Sequence, residues 1–262
     1  MSDEVVPLRD EESPEERRAR AESQLDAHAP AGWRERFRVD ELLDAIVEGR
    51  PIQMFVMAAD IRSSTLLMKE AVKFERFAEI MDRFVSTVRR GIGRSGGWFD
   101  KFTGDGFLAY WVVQSGPDDQ YDERFVEAAG NITHTARTLV EFFQGRVLDD
   151  FRSNSHNMPH SAGLSMGLDA GPGYLVEIGG ELTVVGSPVV GAVRMVTAAA
   201  TPGEIVANVF LGERLRAEQD GVYAQLGVEV TREFRPTKEY PGGQEVFALT
   251  FRGAAEGPEP TE

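Results

Sequence analysis

Hydrophobic and polar positions alternate along this chain with a period that switches between strand and helix, and the switches lay out its elements. Residues 52–60, IQMFVMAAD, form a nearly continuous apolar run of strand length. Such a run predicts a central strand covered on both faces. Leu66, Leu67, Phe74, Phe77, Ile80, Met81, Phe84, Val85 and Val88 then recur every three or four residues. That spacing predicts one long helix, ended by the cluster Gly91, Gly93, Gly96 and Gly97. In WFDKFTGDGFLAYWVV two apolar runs flank Thr103, Gly104, Asp105 and Gly106, the pattern of a β-hairpin with a tight tip. Phe125, Ile132, Ala136, Leu139, Val140 and Phe143 restore helical spacing over residues 122–150, and the polar SNSHNMP after them reads as a loop.

Strand patterns return in SAGLSMGLDAG and GYLVEIGGELTVVG. Residues 189–200, between Pro188 and the stop Thr201, Pro202 and Gly203, read as a helix. EIVAN, the helical NVFLGERLRA and strands near residues 221–230 and 245–251 complete the chain. The order β-α-β-β-α-β with an αβ tail predicts an α+β fold of the split βαβ, ferredoxin-like plan, its helices packed on one sheet. Ahead of it, an acidic, Pro-containing stretch to about residue 15 predicts a solvated tail. Two short helical patterns over residues 16–50 predict a helical N-terminal extension; the second carries Leu42, Leu43, Ile46 and Val47 and stops at Gly49 and Pro51. The expected layout is therefore 1–50 as tail and extension, 51–252 as the main domain and 253–262 as a flexible tail. No repeat of solenoid length is present.

Composition narrows the function classes. With 262 residues and 42% hydrophobic content the chain can bury a sizeable core. A formal net charge of -15 with no local basic patch argues against nucleic acid and anionic membranes as partners. The absence of cysteine removes disulfides, thiolate metal sites and thiol nucleophiles, and fits a reducing compartment. No apolar run approaches the ~20 residues of a membrane span, and the first residues lack the basic-then-apolar order of a secretory signal. A cytoplasmic location is the expectation. His134, His156 and His160 share no metal-ligand spacing on one element.

Two aspartates stand out. Asp60 ends the buried strand and is followed at once by Ile61, Arg62, Ser63, Ser64 and Thr65 at a helix start. A carboxylate beside backbone N–H groups with no helical partner suits a metal-bound triphosphate. Asp105 sits at the hairpin tip, and pairing of the hairpin beside the first strand would bring the two carboxylates together. Hard oxygen ligands of this kind suit Mg²⁺ or Mn²⁺, and two such ions can activate a ribose hydroxyl and neutralise a leaving pyrophosphate. Taken singly, each residue has a plainer reading, Asp60 as a helix cap and Asp105 as turn chemistry; the combination and order carry the weight.

That combination resembles a known family. FVMAADIRSST before a helix, then GGWFDKFTGDGFLAYW, GLDAGPGYLVEIGG and LTVVGSPVVGAVRMVTAAATPGEIVAN, are similar to the homology domain of class III adenylyl and guanylyl cyclases, in the family's order, from about residue 52 to about 251. The resemblance implies that Asp60 and Asp105 hold two metal ions, with the Ile61 carbonyl as a further ligand, and that Ile61, Arg62, Ser63, Ser64 and Thr65 hold the phosphates. It implies Lys101 and Thr183 as base-reading residues and Arg194 as the arginine that stabilises charge on the transferring phosphate. It further implies a homodimer with two shared active sites, in which metal aspartates from one subunit meet base-reading and arginine residues from the other. Lys238 or Arg235 would supply a further basic contact to the triphosphate from the partner.

Two positions depart from the family. Val190 stands four residues before Arg194, where the family places an asparagine that orients the ribose, and valine cannot hydrogen-bond a sugar. Ser187 and Pro188 replace the Asp-Thr common in bacterial members, which reshapes the loop into that helix. A lysine can donate to adenine N1 and a threonine accept from N6–H, which favours ATP. The helical extension, the ADIRSST motif, the missing asparagine and the long helix after the hairpin are instead similar to the pyrimidine cyclases of the Pycsar antiphage system. That likeness implies cyclic UMP made from UTP, with cyclic CMP less favoured, and a separate effector protein activated by the product. Adenylyl cyclase is the alternative, and a degenerate cyclase-like module that binds without turnover is a second; a diguanylate cyclase is disfavoured because the hairpin lacks a GGDEF-type signature.

Overall fold

The computed structural model describes residues 12–114, 121–218, 220–221, 223–237 and 239–251. The acidic tail to residue 11, the expected tail at 253–262 and Lys238 lie outside the described residues.

The first strand, β1 (Ile52–Arg62), is flanked by β3 (Gly106–Val113) and β4 (Gly163–Ile178), both antiparallel to it, and β2 (Trp98–Phe102) pairs with β3. The order β2-β3-β1-β4 is the split βαβ sheet that the alternation predicts. It continues through β6 (Ile205–Ala207), β8 (Gln244–Phe251) and β7 (Val228–Arg235), while β5 (Glu181–Gly186) folds back on the far half of β4. Because β4 and β6 run parallel, the sheet is mixed.

The period of two along β1 sends side chains to two cores. Phe55, Met57, Ala59 and Ile61 join a cluster with Ile80, Phe84 and Val88 of α5 (Phe74–Arg94) and with Ile132 and Ala136 of α6 (Tyr121–Phe142). Met54, Val56 and Ala58 face the other way, toward Trp98, Tyr110 and Ala192 and Val196 of α8 (Ser187–Ala198). The N-terminal helices α1 (Pro14–His28), α2 (Trp33–Arg36) and α3 (Val39–Glu48) add Leu25, Trp33, Leu42 and Leu43 to this second cluster. α1 opens with a complete capping box, Ser13 and Glu16 satisfying each other's backbone N–H, and Pro14 at its first position. It is tied to the β4–β5 hairpin by Arg20 to Glu177 at 2.6 Å and by Gln24 Nε2 donating to the Gly180 carbonyl at 2.6 Å.

Several elements differ from the sequence expectation. The single long helix is two, α4 (Ser64–Lys69) and α5. At the break the Val72 N–H donates to the Asn154 carbonyl, and the Asn154 side chain bonds both the N–H and the carbonyl of Lys73. The loop at 153–159 thus satisfies the backbone groups that the break exposes. α5 also runs through Gly91 and Gly93 to Arg94, because Ile92 between them is buried in the core. The helix over 122–150 contains a π turn, Phe143–Val147, before α7 (Leu148–Arg152); the turn keeps Phe143, Val147, Leu148 and Phe151 all inward. The strand expected at 221–230 starts at Val228 and reaches Arg235, since Tyr223 is anchored on α6 by its hydroxyl donating to the Val126 carbonyl.

Candidate active site

Asp60 lies opposite Gly106 in the β1–β3 ladder, and the Ile61 N–H donates to the Asp105 carbonyl at 2.8 Å, so the pairing extends to the hairpin tip. Gly106 makes this possible: a Cβ there would collide with the Ala59 carbonyl. The Asp60 carboxyl senses Asp105. Burial and then the Asp105 charge push the Asp60 carboxyl above its ordinary pKa, while Arg62 pulls it down. Ser64 Oγ, in the first turn of α4, donates to Asp105 Oδ2 at 2.8 Å. Ser63 adopts a left-handed backbone, φ 60°, and its hydroxyl lies 2.6 Å from that of Ser161; strain of this kind in a non-glycine residue gathers at functional turns. A cavity of about 300 Å³ opens beneath this turn, lined by Ser64, Thr65 and Asp105 on its polar side and by Ile61, Leu67 and Phe77 on its apolar side.

The residues fit divalent ions whose coordination is completed by substrate. No group of three or more His, Asp or Glu side chains clusters among the described residues. Mg²⁺-type sites are typically built from one or two carboxylates plus phosphate oxygens and water, and the repulsion at Asp60 is the kind a cation relieves.

Lys101 and Thr183, distant in sequence, meet: Lys101 Nζ donates to Thr183 Oγ1 at 2.9 Å. Asp100 completes the group and was missed by sequence reasoning. Its buried carboxylate accepts from the Thr183 hydroxyl at 3.0 Å and pairs with Lys101 Nζ at 3.2 Å. A bulge in the β2–β3 pairing between Phe99 and Lys101 turns both Asp100 and Lys101 toward β5. With its hydrogen given to Asp100, Thr183 presents only acceptor capacity outward, and Lys101 presents a donor.

Arg194 and Val190 share the outer face of α8, and Val190 is 56% exposed. Arg194 Nε donates to Glu239 at 3.1 Å, with its guanidinium over the Tyr240 ring. Beneath the helix, Asp169 of β4 is 5% exposed and its carboxyl is pushed up to about 6, by burial first. Asn208 and the Ala170 N–H bond it, and nearby Arg194 favours its ionised form. Gly191 provides the space, since a Cβ would overlap the Asp169 carboxylate. A lone acid in the apolar run GLSMGLDAG was the available signal. Arg62 and Arg235 are both committed elsewhere. Arg62 bonds the end of α8, and Arg235, partly buried, pairs with Glu204 at 2.5 Å and Glu233 at 2.7 Å and donates to the Ala198 carbonyl.

No family model matches this sequence, and no curated protein matches it. Solved structures do. The adenylyl cyclase CyaB from P. aeruginosa superposes with a TM-score of 0.62 at 16% identity, covering 79% of this chain and 98% of that one. The guanylyl cyclase Cya2 gives 0.58 at 18% identity, covering 78% and 95%. The guanylate cyclase domain of RhGC from Catenaria anguillulae, solved in complex with GTP, gives 0.57 at 15% identity, covering 77% and 97%. The chain has the mixed α+β fold of class III cyclase catalytic domains.

Proposed function

We propose that this chain is a nucleotidyl cyclase that converts a nucleoside triphosphate to a 3′,5′-cyclic monophosphate and pyrophosphate. The observation that carries the reading is the crowding of Asp60 and Asp105 at one turn of a cyclase fold. Asp60, Asp105 and the Ile61 carbonyl would hold two divalent ions, Mn²⁺ or Mg²⁺, which when bound supply activation of the ribose hydroxyl and neutralise charge on the triphosphate. Ser63, Ser64 and Thr65 line the phosphate turn. Arg194 stabilises charge on the transferring phosphate, and release from Glu239 readies it. Residues 51–252 form the catalytic unit in this reading, with 1–50 as its extension.

A homodimer with shared sites follows from the same reading. It is supported by exposed apolar side chains around Arg194 and on the β4–β5 hairpin, among them Val190, Val193, Tyr240 and Ile178. We favour UTP as substrate and cyclic UMP as product, a second messenger for a separate effector in antiphage defence, on the likeness to pyrimidine cyclases. The base pair of residues accommodates it: Lys101 can donate to uracil O4 while Thr183 accepts from N3–H. The same donor and acceptor also match adenine N1 and N6–H, which keeps ATP as the second reading. No helix among the described residues is long and apolar enough to cross a membrane.

The test is product formation. The purified chain, incubated with Mn²⁺ and each of ATP, GTP, CTP and UTP, should yield a cyclic monophosphate by mass, with UTP turned over fastest. Asp60→Ala and Asp105→Ala should each abolish it without changing the dimer. Product from either variant at the wild-type yield would end the assignment, and ATP as the best substrate would end the uridylate reading.

A further inference from the structure

Arg62 stands two residues after Asp60, and its guanidinium is taken up by the end of α8. Nη2 donates to the carbonyls of Val196 at 2.6 Å and Ala199 at 2.8 Å, and Nε donates to Ser165 Oγ at 3.2 Å. Those carbonyls close the C-terminal end of α8, where a helix leaves acceptors without internal partners and where positive charge is favoured. Strand alternation explains the reach: Asp60 and Arg62 lie on the face of β1 that α8 covers, opposite Ser165 and Gly163 of β4. α8 has little room to sit elsewhere, because a Cβ on Gly167 of β4 would collide with the Ala192 carbonyl.

We propose that Arg62 is a positioning residue, fastening the strand that carries Asp60 to the helix that carries Arg194. The proposal rests on the cyclase reading above, with its shared sites. In that arrangement Asp60 and Arg194 of one chain serve different active sites, so Arg62 joins the metal half of one site to the arginine half of the other. A displacement of about 1 Å in a charge-stabilising group can cost about a hundredfold in rate, so holding α8 bears on turnover and not on substrate affinity.

Mixed dimers test this. Asp60→Ala chains combined with Arg194→Ala chains should recover one working site, which draws its arginine from the Asp60→Ala chain and its aspartates from the other. Arg62→Met placed on the Asp60→Ala chain, whose own metal turn is already dead, should lower kcat of the mixture at least tenfold with KM changed less than threefold. Arg62→Lys, which keeps one donor group, should recover part of the loss and guards against a misfolded variant. Hydrogen exchange provides a second readout that needs no activity. In Arg62→Met the amides at 196–201 should exchange about tenfold faster, with α5 unaffected. A loss seen only when Arg62→Met is on the Arg194→Ala chain would place Arg62 at the phosphates and overturn the proposal, as would unchanged exchange at the end of α8. An inactive parent mixture with faster exchange there would instead count against the shared-site cyclase reading and leave the fastening role established.

Discussion

Replacing Asp169 with asparagine should remove a pH-dependent loss of stability. Burial holds this carboxyl at about 6 in the folded chain against an ordinary 3.8. Below about pH 4 both folded and unfolded chains keep the proton, and the group contributes nothing. As pH rises toward 6 the unfolded chain releases it while the folded chain retains it, so stability falls. Above about 6 the penalty is constant, at about 3 kcal/mol from roughly 1.4 kcal/mol per pH unit. Work at very low pH is impractical for a chain of net charge -15, which loses its repulsion as carboxylates protonate. From pH 5 to pH 7.5 the wild type should still lose about 1.4 kcal/mol through this group. Urea unfolding followed by tryptophan fluorescence at several pH values measures it, since Trp98 and Trp111 are buried. Asparagine sacrifices one acceptor to Asn208 or Ala170, which offsets the curves by a constant. The gap between variant and wild type should therefore widen with pH by about that amount. A gap that stays flat from pH 5 to 7.5 would show that burial does not hold the Asp169 proton.

Three further outcomes follow from the site and its supports. Asp100→Asn should change the ratio of kcat/KM for UTP and CTP at least tenfold, because the amide can donate to Thr183 and turn its hydroxyl, which then opposes uracil N3–H but suits the N3 acceptor of cytosine; an unchanged ratio would remove Asp100 from base selection. Glu239→Gln should raise kcat/KM up to about fivefold by releasing Arg194, and a fall would show that Glu239 instead aligns it. Leu25→Ala should cost about 2–5 kcal/mol in urea unfolding, since Leu25 is fully buried between α1 and the sheet; a loss under 1 kcal/mol would mean α1 is only loosely docked.

Much of the sheet was legible because β1, β2, β3 and β4 are apolar runs bounded by glycine and polar turns, and local alternation suffices to find them. What escaped was decided by distant partners. The break between α4 and α5 depends on Asn154, far along the chain, and nothing in the spacing of Leu66 to Val88 records it. Asp100 reads as an ordinary strand acid until the bulge turns it toward β5. Arg62 was read with the phosphate turn because it follows Asp60, whereas the strand's alternation already places its side chain on the α8 face. The meeting of Lys101 and Thr183 came from a family likeness, and the hairpin geometry gives it a physical cause.

The crossing of α8 over β4 leaves no slack at Gly167 and Gly191. Adding a single methyl group at either position would lift the helix, since it would run into the Ala192 carbonyl or the Asp169 carboxylate. In a saturation scan scored by product formation, these two should be as intolerant as Asp60 and Asp105, and ranking residues by such scores alone would mistake a spacer for a reagent.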